Sequence, residues 1–218
     1  NTFTFNETQF PEPAQMLAEA ERLGFRTIAW ATEQINSSND EDQQVGMPEY
    51  GSLDLFEQWR DADYLVKTSQ GDPFEFPWGR GYGGFPDFTN PDAFAAYGEL
   101  ARPLLRMGIR GFKLDFCETM RPDLIGLAHN DAPVFADGST TEGQHTRYAR
   151  LFHEAMIRVL PEEHPDDWYV ITRTGGLHDQ RNGTTLWPGD LDNDWGIGGV
   201  LNEDGDAHVG GLQAAISG

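Results

Sequence analysis

The sequence predicts an α/β fold in which helices alternate with short apolar strands. The strands are apolar throughout, which is typical of a parallel sheet whose faces are covered by helical crossovers. The loops after the strands are long and those before them are short, as in a barrel whose loop-rich face holds the active site. About four strands are recognisable where a closed barrel needs eight. We therefore expect a partial (β/α)8 TIM barrel, with about four of eight βα units present.

The first half of the chain has two predicted helices and one predicted strand. Pro11-Glu12-Pro13 begins the first helix and Gly24 ends it, because proline suits the first turn and glycine the residue after the last. The three elements are predicted at 14–23, 25–31 and 53–60, with a short extended piece at 64–67. The stretches 32–52 and 71–84 are predicted to be loops, the first at the active-site side.

The second half has two predicted helices and three predicted strands. Asn90-Pro91-Asp92 begins a helix that Gly108 ends, and apolar residues at helical spacing predict a second one over 146–160. The strands are predicted at 109–114, 168–172 and 184–187, with a long loop over 118–143. We expect one partial barrel domain over residues 1–218 and no second domain.

The strand at 109–114 ends abruptly on a carboxylate, Asp115. A carboxylate at a strand tip, followed by a loop, is where α/β barrels place their chemistry. A second such place is Trp187-Pro188-Gly189-Asp190. Two carboxylates delivered in this way suggest catalysis at a sugar acetal, for which a retaining glycosidase holds them roughly 5–5.5 Å apart. For Asp115 alone, a helix cap or a strand-end turn is the competing interpretation.

Several motifs follow one another in a fixed order. In Asp115-Phe116-Cys117-Glu118, two residues separate an Asp at a strand end from a Glu, and Trp187-Pro188-Gly189-Asp190 is followed by Trp195. Between them stand Arg173-Thr174-Gly175, at the end of a predicted strand, and Gln180-Arg181. Each motif is weak alone, but the ordered set resembles glycoside hydrolase family 31, the α-glucosidase and α-xylosidase group. Upstream, Phe10-Pro11-Glu12-Pro13 and Asp87-Phe88-Thr89-Asn90-Pro91 are also similar to family segments, so the resemblance covers nearly the whole chain.

The resemblance implies retaining hydrolysis of α-glycosidic bonds by two carboxylates. Asp115 would attack the anomeric carbon to form a covalent glycosyl-enzyme. Asp190 would protonate the leaving oxygen and later deprotonate water.

The resemblance also implies a sugar-binding set around these carboxylates. Arg173 would hydrogen-bond the sugar hydroxyls and orient Asp190, and Glu118 would support the nucleophile. Trp187 and Trp195 would shape the sugar pocket, although core packing explains each tryptophan equally well.

The sequence departs from the family pattern in places. Thr32-Glu33-Gln34 stands where the family usually has a Pro after the early strand, and Leu191 follows Asp190 where Asn is common. The first two and last two barrel strands of the family have no counterpart, so we expect the chain to be the central part of a longer catalytic barrel.

Two other functions remain open at this stage. Lys113-Leu114-Asp115 fits an α-galactosidase-like clan relative as well as it fits family 31. A half-barrel also leaves strand edges and apolar surface uncovered, so a non-catalytic or inactive carbohydrate-binding fragment is the alternative from another class.

Composition narrows the range of partners. The formal net charge of -21 argues against nucleic acid and anionic membranes as partners. The partner that the family resemblance implies is a carbohydrate, an α-glycoside or oligosaccharide. We expect no signal peptide or transmembrane segment in this chain, and both cytoplasm and periplasm are compatible with its lack of disulfides. The sequence indicates neither the sugar nor the oligomeric state.

We expect no cofactor and no metal. The histidines lack metal-ligand spacing, and Asp190-Leu191-Asp192-Asn193-Asp194 departs from a calcium loop in its glycine and in its last ligand position. Gly79-x-Gly81-x-x-Gly84 lacks the strand and helix that a dinucleotide fingerprint needs. Cys117, the single cysteine, is expected to be a buried bystander.

Overall fold

The structure is a computed structural model that describes residues 2–37, 52–78, 81–118, 120, 125, 131–175 and 179–187. The chain divides into two compact units, Asn1–Thr185 and Leu186–Gly218, and only residues 186 and 187 of the second are described. The expectation of one domain over the whole chain therefore stays a prediction. No helix in the described ranges is long and apolar enough to span a bilayer.

The described ranges contain two small sheets and a set of helices. The strands are β1 (Ala29–Ala31), β2 (Ile35–Asn36), β3 (Glu75–Trp78), β4 (Gly81–Gly84), β5 (Gly111–Leu114), β6 (Tyr169–Thr172) and β7 (Thr185–Leu186). The α-helices are α1 (Pro13–Arg22), α2 (Ser52–Asp61), α3 (Pro91–Met107), α4 (Thr141–Gln144), α5 (Arg147–Ile157) and α6 (Leu160–Glu163), and a 3₁₀ helix covers Asp179–Asn182.

The larger sheet has the strand order β1-β5-β6-β7. β1 pairs with β5 and β5 with β6, both in parallel, so the α/β prediction is confirmed by strands that helices separate in sequence. All four predicted strands lie in this sheet. β1 is shorter than predicted, because only 29–31 of the apolar run 25–31 pair with a neighbouring strand.

The smaller sheet has the order β2-β4-β3 and contradicts two loop predictions. Residues 75–78 and 81–84 form antiparallel strands, although 71–84 is rich in glycine and was expected to be a loop. The glycines are needed for close packing, because a Cβ on Gly84 would lie 2.7 Å from the Phe56 ring. β2 likewise lies within the expected loop 32–52 and pairs with β4.

The two faces of the larger sheet differ in burial. Phe112 and Leu114 of β5 are fully buried in the hydrophobic core. Trp30, Lys113 and Ile171 are register partners across β1, β5 and β6, so they share the opposite face. Trp30 is 51% exposed there. Side chains two residues apart in a strand lie on the same face. Asp115 and Arg173, two positions after Lys113 and Ile171, are therefore expected on this face at the carboxyl edge of the sheet.

Two buried tyrosines bond backbone carbonyls just beyond the strands. The Tyr97 hydroxyl of α3 donates to the Thr32 carbonyl, after β1, at 2.6 Å, and the Tyr97 ring packs edge-on against Phe88 and Phe152. Tyr148 of α5 donates to the Pro86 carbonyl, after β4, at 2.8 Å. These hydrogen bonds satisfy backbone oxygens inside an aromatic core, and the one from Tyr97 fixes the carboxyl end of β1.

A buried polar contact fixes the segment between β6 and β7. His153 of α5 is fully buried, and its Nδ1 lies 3.2 Å from each carboxylate oxygen of Asp179. Asn182 also donates to Asp179, at 2.9 Å. Because carboxylate oxygens accept hydrogen bonds, Nδ1 is the protonated ring nitrogen of His153.

We expect His153→Leu to lower the free energy of unfolding by about 2 kcal/mol, because it removes a hydrogen bond to a buried carboxylate. Arg150→Leu on the same helix removes a half-exposed ion pair with Glu154 and should cost less than about 1 kcal/mol. Urea denaturation of both variants measures the difference. Equal losses would show that the buried contact adds nothing beyond a surface pair.

Candidate active site

Asp115 is a nearly buried carboxylate at the carboxyl end of β5. It is 5% exposed, and its amide donates to the Ala31 carbonyl of β1 at 2.9 Å, which continues the strand pairing by one residue. The Trp30 Nε1 donates to Oδ2 at 2.8 Å, and the Phe116 amide donates to Oδ1 at 3.0 Å. One neutral donor thus reaches each carboxylate oxygen.

Two cations and a second carboxylate complete the surroundings of Asp115. Lys113 Nζ lies 3.0 Å from Oδ2, and Arg173 Nη1 lies 3.6 Å from Oδ1. The Arg173 Nε also pairs with Glu118 Oε1 at 2.7 Å. Arg173 therefore lies between two carboxylates, those of Asp115 and Glu118. Lys113 contacts Oδ2 of Asp115, whereas Arg173 is nearer to Oδ1.

The electrostatic balance keeps Asp115 ionised. Burial by itself would raise the pKa of this carboxyl group, but hydrogen bonds from Trp30, Lys113 and the Phe116 amide outweigh burial and lower the pKa below its ordinary value. Asp115 is consequently an anion at neutral pH in a place that water hardly reaches. A charged oxygen so placed is suited to nucleophilic attack.

The backbone turns sharply just after Asp115. Phe116 and Cys117 both have positive φ angles, 61° and 75°, which residues with a Cβ seldom adopt. The turn aims the Phe116 amide back at the carboxylate. It also buries Cys117, and desolvation together with nearby Glu33, Glu118 and Asp179 raises the pKa of that thiol well above its usual value. A neutral, buried thiol agrees with the bystander interpretation.

The structure brings together three of the six residues that sequence reasoning selected, namely Asp115, Arg173 and Glu118. Trp187 follows β7 and is half-buried. Asp190 and Trp195 lie outside the described residues. The Asp115 carboxylate accepts from Trp30 of β1 and Lys113 of β5 rather than from a helix end, so it is not a helix cap. The Phe116 amide that it also accepts from belongs to a strand-end turn, so the turn interpretation stays open beside the catalytic one.

Two residues of this cluster were not selected from the sequence alone. Trp30 was included only as part of a strand, and Lys113 only as part of a motif for an alternative family. The alternation of side chains along a strand could have identified them. Lys113 precedes Asp115 by two residues and so shares its face of the sheet, and Trp30 is the register partner of Lys113. Within the described ranges no group of His, Cys, Asp and Glu is arranged to hold a metal, and the expectation of no cofactor stays a prediction.

A parallel α/β sheet with an ion-paired carboxylate at its carboxyl edge is the arrangement that barrel-type catalytic domains have. The chain belongs to glycosyl hydrolase family 31, because the model of that family's TIM-barrel domain matches residues 1–197. The match confirms the resemblance found in the sequence and the partial barrel. It also decides between the two enzyme families in favour of family 31 over the α-galactosidase-like relatives.

Similar curated proteins carry several glycosidase names. The chain is 28% identical over 215 residues to a sulfoquinovosidase of Escherichia coli K12, covering 98% of this chain and 27% of that protein. It is 26% identical over 170 residues to the alpha-xylosidase XylQ of Lactiplantibacillus pentosus, covering 78% of this chain and 19% of that protein. The chain therefore spans about a quarter or less of the relatives it matches.

Solved structures share the fold. A family 31 sulfoquinovosidase from E. rectale, in complex with an aza-sugar inhibitor, superposes with a TM-score of 0.71 at 19% identity and covers 88% of this chain and 26% of that one. A family 31 dextranase of Flavobacterium johnsoniae, complexed with glucose, gives 0.70 at 21% identity over 94% of this chain and 23% of that one.

We expect Trp30→Phe to raise the pKa of Asp115, because the ring is kept while a hydrogen bond to the ionised form is lost. The variant should also be less stable near neutral pH. That difference should shrink as pH falls through the folded-state pKa, since the protonated acid gains little from the indole N–H.

Carbon-detected NMR titration of carboxyl groups checks this result. Asp137, whose pKa is lowered to about 2 by Ser139 and Arg147, serves as the internal reference and should not change. An unchanged Asp115 titration in Trp30→Phe would contradict the role of the indole.

Proposed function

We propose that the protein containing this chain hydrolyses α-glycosidic bonds with retention of configuration, and that Asp115 is its nucleophile. The observation that supports this most is the buried Asp115 carboxylate, held ionised by Trp30, Lys113 and the Phe116 amide. Double displacement with retention is the general mechanism of family 31, and an anionic carboxylate at the strand ends is what its first step needs.

In the first step, a carboxylate oxygen of Asp115 bonds to the anomeric carbon while the glycosidic C–O bond breaks. The leaving oxygen takes a proton from Asp190. In the second step, water attacks the anomeric carbon, Asp190 accepts the proton of that water, and the ester bond to Asp115 breaks. Both carboxyl groups return to their starting protonation states. The role of Asp190 is supported by its motif, Trp187-Pro188-Gly189-Asp190.

The cations beside Asp115 suit this cycle. Lys113 and Arg173 stabilise the anion before attack, and they remain as donors for sugar hydroxyls once Asp115 has become an uncharged ester. Glu118 keeps the Arg173 guanidinium in place through its 2.7 Å contact. Trp187 and Trp195 are proposed to line the sugar pocket, because aromatic faces suit the C–H faces of a pyranose.

The substrate class is an α-glycoside or oligosaccharide. Similar proteins are named sulfoquinovosidase, alpha-xylosidase and alpha-glucosidase, so glucosyl, xylosyl and sulfoquinovosyl groups are the first to test. The non-catalytic alternative predicts binding or inertness with none of these.

The test is mass spectrometry after incubation of the longest available form of the protein with 5-fluoro-α-glycosyl fluorides of those three sugars. We expect a covalent adduct on the peptide containing Asp115, because fluorine at C5 slows both steps while the fluoride leaving group speeds the first, so that the glycosyl-enzyme accumulates. A folded, complete protein that forms no adduct would contradict the assignment of Asp115.

We expect Asp115→Asn to lower kcat/KM on the order of a thousandfold or more for every leaving group, because the nucleophile acts on all of them. Asp190→Asn should lose much less with a glycosyl fluoride than with an alkyl glycoside, since fluoride departs without a proton. Asp137→Asn, whose carboxylate bonds to Ser139 and Arg147, is the control and should keep parental activity. Equal losses at positions 115 and 137 would contradict the proposal.

A further inference from the structure

We propose that Phe116 is a positioning residue for the nucleophile: its ring holds Trp30 and Arg173 on the two sides of Asp115. This inference rests on the proposed function. Phe116 occupies one of the two positions between the Asp and Glu of the motif, to which the sequence assigns no role.

The ring of Phe116 contacts both side chains. It packs edge-to-face against Trp30, with ring centroids 6.4 Å apart at 90°. The guanidinium carbon of Arg173 lies 4.7 Å from the centre of the same ring. Trp30 donates to Oδ2 of Asp115 and Arg173 lies 3.6 Å from Oδ1, so one aromatic ring contacts a neighbour of each oxygen.

The backbone of Phe116 binds the same carboxylate. Its amide donates to Asp115 Oδ1 at 3.0 Å, and its carbonyl accepts a hydrogen bond from the Thr174 hydroxyl. The residue therefore connects the ends of β5 and β6. A φ of 61° is rare for a bulky residue and persists only where the surroundings fix it, which is common beside reactive groups.

The cation–π contact with the Phe116 ring influences the position of the Arg173 guanidinium. Its guanidinium lies 2.7 Å from Glu118 but 3.6 Å from Asp115, so ion pairing alone favours Glu118. The face of the Phe116 ring attracts the guanidinium and limits its rotamers, which keeps it within reach of Asp115. Without the ring, we expect Arg173 to turn toward Glu118 and solvent.

Filling the core does not account for this side chain. Phe116 is half-buried, whereas its neighbours Leu114 and Cys117 are fully buried members of the core. Its ring lies among residues that touch Asp115, so its removal should affect the carboxylate before it affects the fold.

The test uses the longest form of the protein and the rate at which a 5-fluoro-α-glycosyl fluoride labels Asp115. This rate reports the nucleophile, because fluoride leaves without a proton. We expect Phe116→Ala and Phe116→Leu to lower it about tenfold or more, since neither has an aromatic face. Phe116→Tyr should keep the parental rate within about threefold. Phe116→Gly, which relaxes the positive φ, should be as slow as Phe116→Ala if the ring is what matters.

The pH dependence gives a second readout. Among the residues that the structure describes, the charged groups that face Asp115 are Lys113 on β5 and Arg173 after β6, with Glu118 beyond Arg173, while Trp30 of β1 is uncharged. Loosening Trp30 and Arg173 should move the acid limb of labelling to higher pH in Phe116→Leu. A purely structural role would lower stability and leave this limb in place.

The outcomes separate this inference from the function on which it rests. If the parent is labelled and Phe116→Leu matches its rate and pH profile within twofold, the inference is wrong. If the folded parent is not labelled, the proposed function fails, and NMR titration of Asp115 decides the inference: its pKa should be higher in Phe116→Leu than in the parent, and equal values overturn the inference.

Discussion

An ionised carboxylate that is removed from water must regain hydrogen-bond donors and nearby positive charge, and the arrangement around Asp115 meets this requirement with residues from three parallel strands. Trp30 of β1 and Lys113 of β5 bond the carboxylate, and Arg173, the residue after β6, adds a positive charge 3.6 Å from Oδ1. No single strand could supply them, because one strand presents only every second side chain to a given face. The pairing of β1, β5 and β6 is therefore the condition for an anion at this place.

The register of that pairing places the polar side chains on one face of the sheet and the core side chains on the other. Trp30 stands opposite Lys113, and a slip of β1 by one residue would turn Trp30 to the apolar face that holds Phe112 and Leu114. Tyr97 opposes such a slip by bonding the Thr32 carbonyl just beyond β1. The hydrophobic effect thus selects the register, and the register places the polar groups, so the energetics of folding and the geometry of the site share one cause.

Sequence reasoning succeeded where a local rule determined the outcome. Pro91 and Gly108 bracket α3, whose Asn90 side chain caps the first turn as expected, and the apolar run before Asp115 forms β5. It failed where contacts distant in sequence override local preference, as for Gly83 and Gly84, which are strand residues because they pair with β2 and β3. Trp30 was not predicted as a site residue for the same reason, because only its pairing with Lys113 places it on the face of the carboxylate.

In the proposed function, two of the donors around Asp115 act on the carboxylate alone, which separates reactivity from sugar choice. The Trp30 indole and the Phe116 amide contact the two oxygens of Asp115 and would hold the anion equally with any sugar above it. This chain is similar to proteins named for xylosides, glucosides and sulfoquinovosides, which is consistent with this separation. Specificity then depends on groups that meet the sugar hydroxyls away from the anomeric carbon. Changes there leave the anion intact, so one fold can serve several substrates without rebuilding the proposed nucleophile.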